Sequence, residues 1–173
     1  MSDEPFSLEQ LFGIVEQYLL DHLPGVQMVG FWPVLDGHAP AIPLPAVFLE
    51  LAEAEPGADP GTGETVLSCK FEARIVVDAI KDDHHRQAVQ LATQLAVLLR
   101  GQYWGIDNVG PTVFVQAIQD WTKPELDGYT VWLVEWNQDL TLGEEEWPWP
   151  DDQPTHLDID FGSNSVDVVA GVP

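Results

Sequence analysis

The residues of this chain that could do chemistry are few, and their spacing does not suit them to it. His84 and His85 follow Asp82 and Asp83 where a helical pattern starts. Adjacent side chains on a helix diverge by about 100°, whereas helical metal ligands sit at i and i+4. The pair therefore reads as an exposed polar helix start. His22 falls near the end of an N-terminal helix, where partial positive charge is favourable, and His38 and His156 stand in loop sequence with no partner pattern. Gly57, Gly61 and Gly63 are glycine-rich, but no Lys-Ser or Lys-Thr follows and their surroundings are acidic, so they do not form a phosphate loop. Neither a G-x-S-x-G elbow nor a dinucleotide fingerprint occurs. Asp151-Asp152 and Asp158/Asp160 are neighbouring carboxylates without the ligand order of an EF-hand. The one cysteine, Cys69, allows neither an internal disulfide nor a cysteine metal cluster. The sequence thus nominates no catalytic residue, no cofactor, no metal ligand and no enzyme.

The aromatic residues are more informative. Seven tryptophans in 173 residues is a high number. Trp132 and Trp136 share parity with Val134 on one strand pattern and read as core or sheet-face residues. Tyr103 and Trp104, in the turn GQYWG, and Trp147 and Trp149, in WPWP, stand outside every periodic run. Large aromatics in such places are interface candidates, because they bury much area at little entropic cost. For Trp147 and Trp149 two readings stand, contact with a partner or packing on their own chain. Lys70 and Arg74 complete the set of candidate interface residues: with Glu72 they form a mixed-sign row suited to ion pairs across a subunit boundary, or equally to a face turned to water.

The elements that must position these residues follow from periodicity. Ser7, with Gln10 three residues on, has the form of a capping box, and Leu8, Leu11, Phe12, Val15 and Leu19 make one buried stripe, so a helix is expected at 7–22, stopped by Pro24-Gly25. Val26–Trp32 is short and β-prone, and 33–45 is a proline-rich loop. A strand is expected around Val47–Leu51 and a hairpin loop over 55–64. Leu67, Cys69, Phe71, Ala73, Ile75 and Val77 then alternate with polar residues, one face core and one face polar, which makes Cys69 a small buried hydrophobe. Asp82 or Asp83 caps a second helix whose stripe is Ala88, Leu91, Ala92, Leu95, Leu98 and Leu99, ending near Gly101. Two strands near 112–121 and 128–141 form a second hairpin. The order α-β-β-β-α-β-β predicts an α+β domain over 1–143, a mixed or antiparallel sheet of about five strands with two helices on one face. From Glu144 to Pro173 the periodicity ends, and an extended acidic tail outside the core is expected.

Charge narrows the function. Lys plus Arg number 6 against 29 Asp plus Glu, a net charge of −23. Nucleic-acid affinity comes from basic charge, so binding to a phosphate backbone is excluded as the main activity. All six bases lie between Lys70 and Lys123. Such a surface is either plain solvated acid, or one that must not stick to nucleic acid, or one that meets a basic partner. No run approaches the roughly 20 apolar residues of a membrane helix, and Met1-Ser2-Asp3-Glu4 lacks the basic start of a secretory signal. A chain made and folded in the cytosol is expected.

The stretch TVLSCKFEARIVVD, the Ala/Leu-rich helix after it, the GQYWG turn and the closing DGYTVWLVEWNQDLTLG together resemble tail proteins of bacteriophages. More narrowly they are similar to the tail terminator, also called the tail completion or collar protein, including versions that cap R-type pyocins. The resemblance covers residues 7–143. It implies a structural subunit, made in the bacterial cytoplasm, that closes into a hexameric ring on the last ring of a tail tube. It further implies contact with the tube protein, with the sheath protein in a contractile tail, and with the head connector where there is a head. It brings no catalytic residues. The competing class is an acidic interaction module, such as a DNA mimic that occupies a basic site. A mimic needs carboxylates at phosphate-like spacing on a rigid face, whereas here they crowd loops and tail.

Overall fold

The computed structural model of the chain describes residues 6–32, 42–146 and the two strands 156–160 and 165–169. Helix α1 (Leu8–His22) opens as its sequence dictates: the Gln10 N–H donates to the Ser7 hydroxyl at 3.3 Å, and Leu11, Val15 and Leu19 are buried. Strands β1 (Met28–Phe31), β2 (Ala46–Pro56) and β3 (Thr65–Asp78) follow, then α2 (His84–Leu98), β4 (Val113–Gln119) and β5 (Tyr129–Leu142). Asp83 occupies the N-cap position of α2 without a side-chain hydrogen bond. The expected α+β order is observed, with a five-stranded mixed sheet in the order β1-β2-β3-β5-β4. The β1–β2 pair is parallel and the other pairs are antiparallel.

Alternation along the strands gives the sheet two unlike faces. On one, Val47 and Leu49 of β2, Cys69, Phe71, Ala73, Ile75 and Val77 of β3, and Val134, Trp136 and Leu140 of β5 meet the buried stripes of α1 and α2 in one core. Each fully buried aliphatic chain there contributes about 1.5–3 kcal/mol. On the other face a smaller cluster of Ala46, Phe48, Val76 and Val131 is closed by Leu126, from the short 3-10 turn Pro124–Leu126 in the β4–β5 connection.

The acidic extension holds one regular element that periodicity did not reveal. Strands β6 (His156–Asp160) and β7 (Ser165–Val169) pair antiparallel as a second, two-stranded sheet. Each is five residues long, too short for its alternation to stand out among the prolines and carboxylates around it. Trp147 and Trp149 lie outside the described residues, as does most of the proline-rich loop expected at 33–45. Among the described residues no helix is long and apolar enough to cross a membrane.

Candidate functional site

Strand β4 is VFVQAIQ, without a single ionisable side chain in a chain of net charge −23. Among the described residues it pairs only with β5, so its other edge is open there. Its N-terminal end is pinned to the turn after α2: the Thr112 N–H donates to the Gln102 carbonyl at 2.8 Å, and the Gln102 N–H to the Thr112 hydroxyl at 3.1 Å. A register irregularity between Phe114 and Gln116 leaves Val115 as the extra residue. Val113, Phe114, Val115 and Ile118 are all exposed, and Trp121, just past the strand, is 77% exposed. Helix α2 packs on β3 and β5 and also touches β4, where Ala117 joins the core, but the other apolar side chains of β4 stay exposed. An exposed apolar edge strand is a template for pairing with another chain unless something blunts it.

The opposite edge is blunted. The N–H of Phe31 in β1 donates to a carboxylate oxygen of Glu16 on α1 at 3.1 Å, and α1 packs along that strand through Phe12 and Phe31. A charged side chain and a helix thus guard one edge while the other is free, and this asymmetry suits a head-to-tail contact.

Across the helix-free face runs a chain of ion pairs. Arg74, 4% exposed, donates from Nε to Asp120 at 2.8 Å, from Nη1 to Glu50 at 2.7 Å and from Nη2 to Glu72 at 2.7 Å. Lys123 reaches Glu50 at 3.1 Å, and Lys70 meets Glu135 at 2.5 Å. Trp32 lies 5.8 Å from the Arg74 guanidinium and 5.0 Å from the Lys123 ammonium, over its ring face. Burial pushes the Asp120 carboxyl up, but hydrogen bonds from Thr122 and the bond and charge of Arg74 outweigh it and hold the group below its ordinary value of 3.8. Glu135 behaves alike: burial raises it, and Lys70, Gln116 and the Arg74 charge bring it below 4.5. Burial lowers Arg74, and Glu72 with Asp120 more than reverse this.

Carboxylates gather instead at one end of the sheet. The register brings the β2–β3 hairpin and the end of β5 together, so Glu53, Glu55, Asp59, Glu64 and Asp139 share that end with Glu144, Glu145 and Glu146. Among the described residues no three His, Cys, Asp or Glu side chains are grouped to hold a metal ion. His84 and His85 do not diverge into solvent independently: their rings lie 4.1 Å apart, and His84 Nδ1 is 2.5 Å from the Thr130 hydroxyl on β5.

The structure separates the residues nominated from sequence. Tyr103 is 57% exposed, but its neighbour Trp104 is only 7% exposed and belongs to the core. Trp104 is no surface anchor. A positive φ of 57° turns it inward, its indole N–H donates to Gln138 Oε1 at 3.0 Å, and its ring meets Tyr18 of α1 edge-on at 5.4 Å. The reason is Gln138, a polar residue on the core parity of β5, whose amide also donates to the carbonyls of Gln102 at 3.0 Å and Gly110 at 2.7 Å. Arg74 does not face water: it is 4% exposed, and each of its three guanidinium nitrogens donates to a carboxylate of its own chain. Lys70 is half-buried and paired with Glu135. The β4 edge was not singled out by sequence reasoning; its signal was an apolar run on both parities with no charge. Compared with known proteins, the chain matches no family model and no curated sequence.

Because Trp104 serves the core, Trp104→Phe is expected to strand the Gln138 carbonyl oxygen and cost about 1–3 kcal/mol. Urea unfolding followed by circular dichroism checks this. The association state should not change, and a variant that unfolds like the wild type yet loses self-association would return Trp104 to the interface.

Proposed function

We propose that this chain is a structural subunit of a bacteriophage tail or phage-tail-like particle, of the tail-terminator or collar kind, and that it acts as a closed ring on the end of the tail tube. The observation that carries the reading is the asymmetry of the sheet edges: β4 open, apolar and uncharged, β1 guarded by Glu16. Copies related head to tail bury an edge without leaving a like edge exposed, and such a contact closes into a ring when its rotation permits. The resemblance of residues 7–143 sets the number of copies at six and names the partners: the tube protein, the sheath protein if the tail contracts, and the head connector if there is a head. Subunits add to the tube end, close side to side, and cover the surface the next tube ring would use. The acidic end of the sheet is consistent with this role, since a channel that passes DNA benefits from walls that repel phosphate. The chain works by shape and contact, with no substrate.

Light scattering on the purified protein, followed by negative-stain imaging, is expected to give six-fold rings, free or on isolated tubes. A deletion strain is expected to make tails of uncontrolled length or tails that fail to join heads. Normal tails from that strain would overturn the reading, and a strict monomer that competes with DNA for a basic protein would favour the acidic mimic instead.

A further inference from the structure

Helix α2 and the turn after it stand apart in charge. Asp and Glu make up 29 of the 173 residues, yet residues 84–106 hold none. Helix α1, by contrast, carries Glu9, Glu16 and Asp21. Of the six bases, Lys70, Arg74 and Lys123 are paired on the helix-free face, and Lys81 is flanked by Asp78, Asp82 and Asp83. Arg86 and Arg100 remain. Both are exposed, and among the described residues neither has a carboxylate within ion-pair distance. Arg86 even lies in the first turn of α2, where the helix dipole disfavours a cation. The two arginines frame one stripe: residues 86, 90, 93, 97 and 100 recur at helical spacing and are all exposed, with about 20 Å between its ends. The side chains between them are uncharged, and Val97 is 73% exposed. The Thr93 hydroxyl is held by the Val89 and Gln90 carbonyls at 2.9 Å each. Beside the stripe runs an open groove lined by His22, Pro24, Thr93, Gln94, Val97 and Leu98, again without a carboxylate. A neutral, partly apolar centre with arginine at its margins and no acid is the composition of a protein contact surface.

We infer that this face of α2 receives a second copy of the chain, through the carboxylate-rich end of that copy's sheet. Charge complementarity names the occupant. Glu53, Glu55, Glu144 and Glu145 at that end are exposed, and among the described residues they have no base within ion-pair distance. Two arginines can answer them where the neutral β4 edge cannot. The two surfaces point in different directions, α2 outward from the face of the sheet and the carboxylates along its strands, so the contact is head to tail. At physiological salt, charges more than about 8 Å apart are largely screened, and the local match is not overridden by the net repulsion of two acidic chains. The inference deepens the ring reading above, on which its closure into six copies rests.

Full-length variants with reversed charges test it. Arg86→Glu with Arg100→Glu makes the helix face acidic, and Glu55→Arg with Glu144→Arg makes the sheet end basic. All four positions are exposed, and thermal melts by circular dichroism check that each variant folds. By sedimentation and light scattering against concentration, each variant alone is expected to associate at least about tenfold more weakly than the wild type, since like charges then meet. An equimolar mixture is expected to recover the loss, because every contact in an alternating array again joins opposite signs. Glu9→Arg with Glu125→Arg changes the net charge as much at other exposed sites, and mixed with the helix variant it should not rescue; rescue by this control would overturn the inference as an effect of net charge alone. Six-fold rings formed by Arg86→Glu with Arg100→Glu as readily as by the wild type would also overturn it and leave the ring reading standing. A loss of association that the mixture does not restore would overturn it in favour of another acidic protein as occupant. Rescue in open filaments without rings would support the contact and sink the ring.

Discussion

Arg74→Met is expected to destabilise the fold by about 3–5 kcal/mol, the usual cost of removing one partner from a buried ion pair. For a domain of this size that lowers the melting temperature by about 10 °C. The loss is larger than the packing of one side chain suggests because Glu50, Glu72 and Asp120 converge on the same guanidinium. Without it three carboxylates face one another, with only Lys123 left to answer Glu50. The pH dependence gives an independent check. In the wild type Asp120 and Glu135 have folded-state pKa values below their unfolded ones. Their contribution is present above the ordinary carboxylate range and is lost as pH falls through the lowered folded values. In Arg74→Met the repulsion among carboxylates is itself relieved by protonation. The stability gap between the two proteins is therefore expected to narrow on going from neutral pH to below about pH 4. Thermal melts across that range measure it, and a gap that is constant with pH would mean that Arg74 acts only by packing. Arg74→Lys should recover part of the loss, since an ammonium keeps the charge but cannot present the planar fork.

The second large effect is on assembly. Val113→Glu with Ile118→Glu places two carboxylates on the open edge of a chain that already carries −23. Both positions are exposed in the single chain, and substitutions at such places usually change stability by less than about 0.5 kcal/mol. The melting temperature should hardly move. Association should weaken by a hundredfold or more, since like charges brought together at an interface cost several kcal/mol, and each 1.4 kcal/mol is about tenfold. Sedimentation or light scattering against concentration reads the shift, and tube-capping in vitro reads the consequence. Rings that persist unchanged would remove β4 from the contact. The two predictions separate cleanly, Arg74 being a matter of folding and the β4 edge of association.

Local periodicity was enough for the element order, for the core stripes of both helices, and for the burial of Cys69, because each depends on a pattern of apolar residues within a few turns or strand steps. Ser7 capping Gln10 was legible for the same reason. The candidate interface was not. Trp104 stood in a glycine-bounded turn and looked like a surface anchor, yet Gln138, 34 residues away, draws its indole into the core. Arg74 sat on the polar parity of β3 and looked free, yet Glu50 from the adjacent β2 and Asp120 from just past the end of β4, beyond β5, enclose it. Both errors are of one kind: parity states which face a residue is on, but not what lies across that face.

Alternation and capping, read along the chain, determined that this is an α+β protein with its helices on one side, and composition determined its net charge of −23. Only the tertiary structure decided that β5 inserts between β3 and β4, which leaves the exposed apolar strand β4 at one margin while a Glu16 carboxylate meets the Phe31 N–H at the other. Strand order is a property of long-range pairing, and the hydrogen bonds that set it are the same for every sequence. No local pattern specifies them, and the exposed edge comes into existence only when the sheet does.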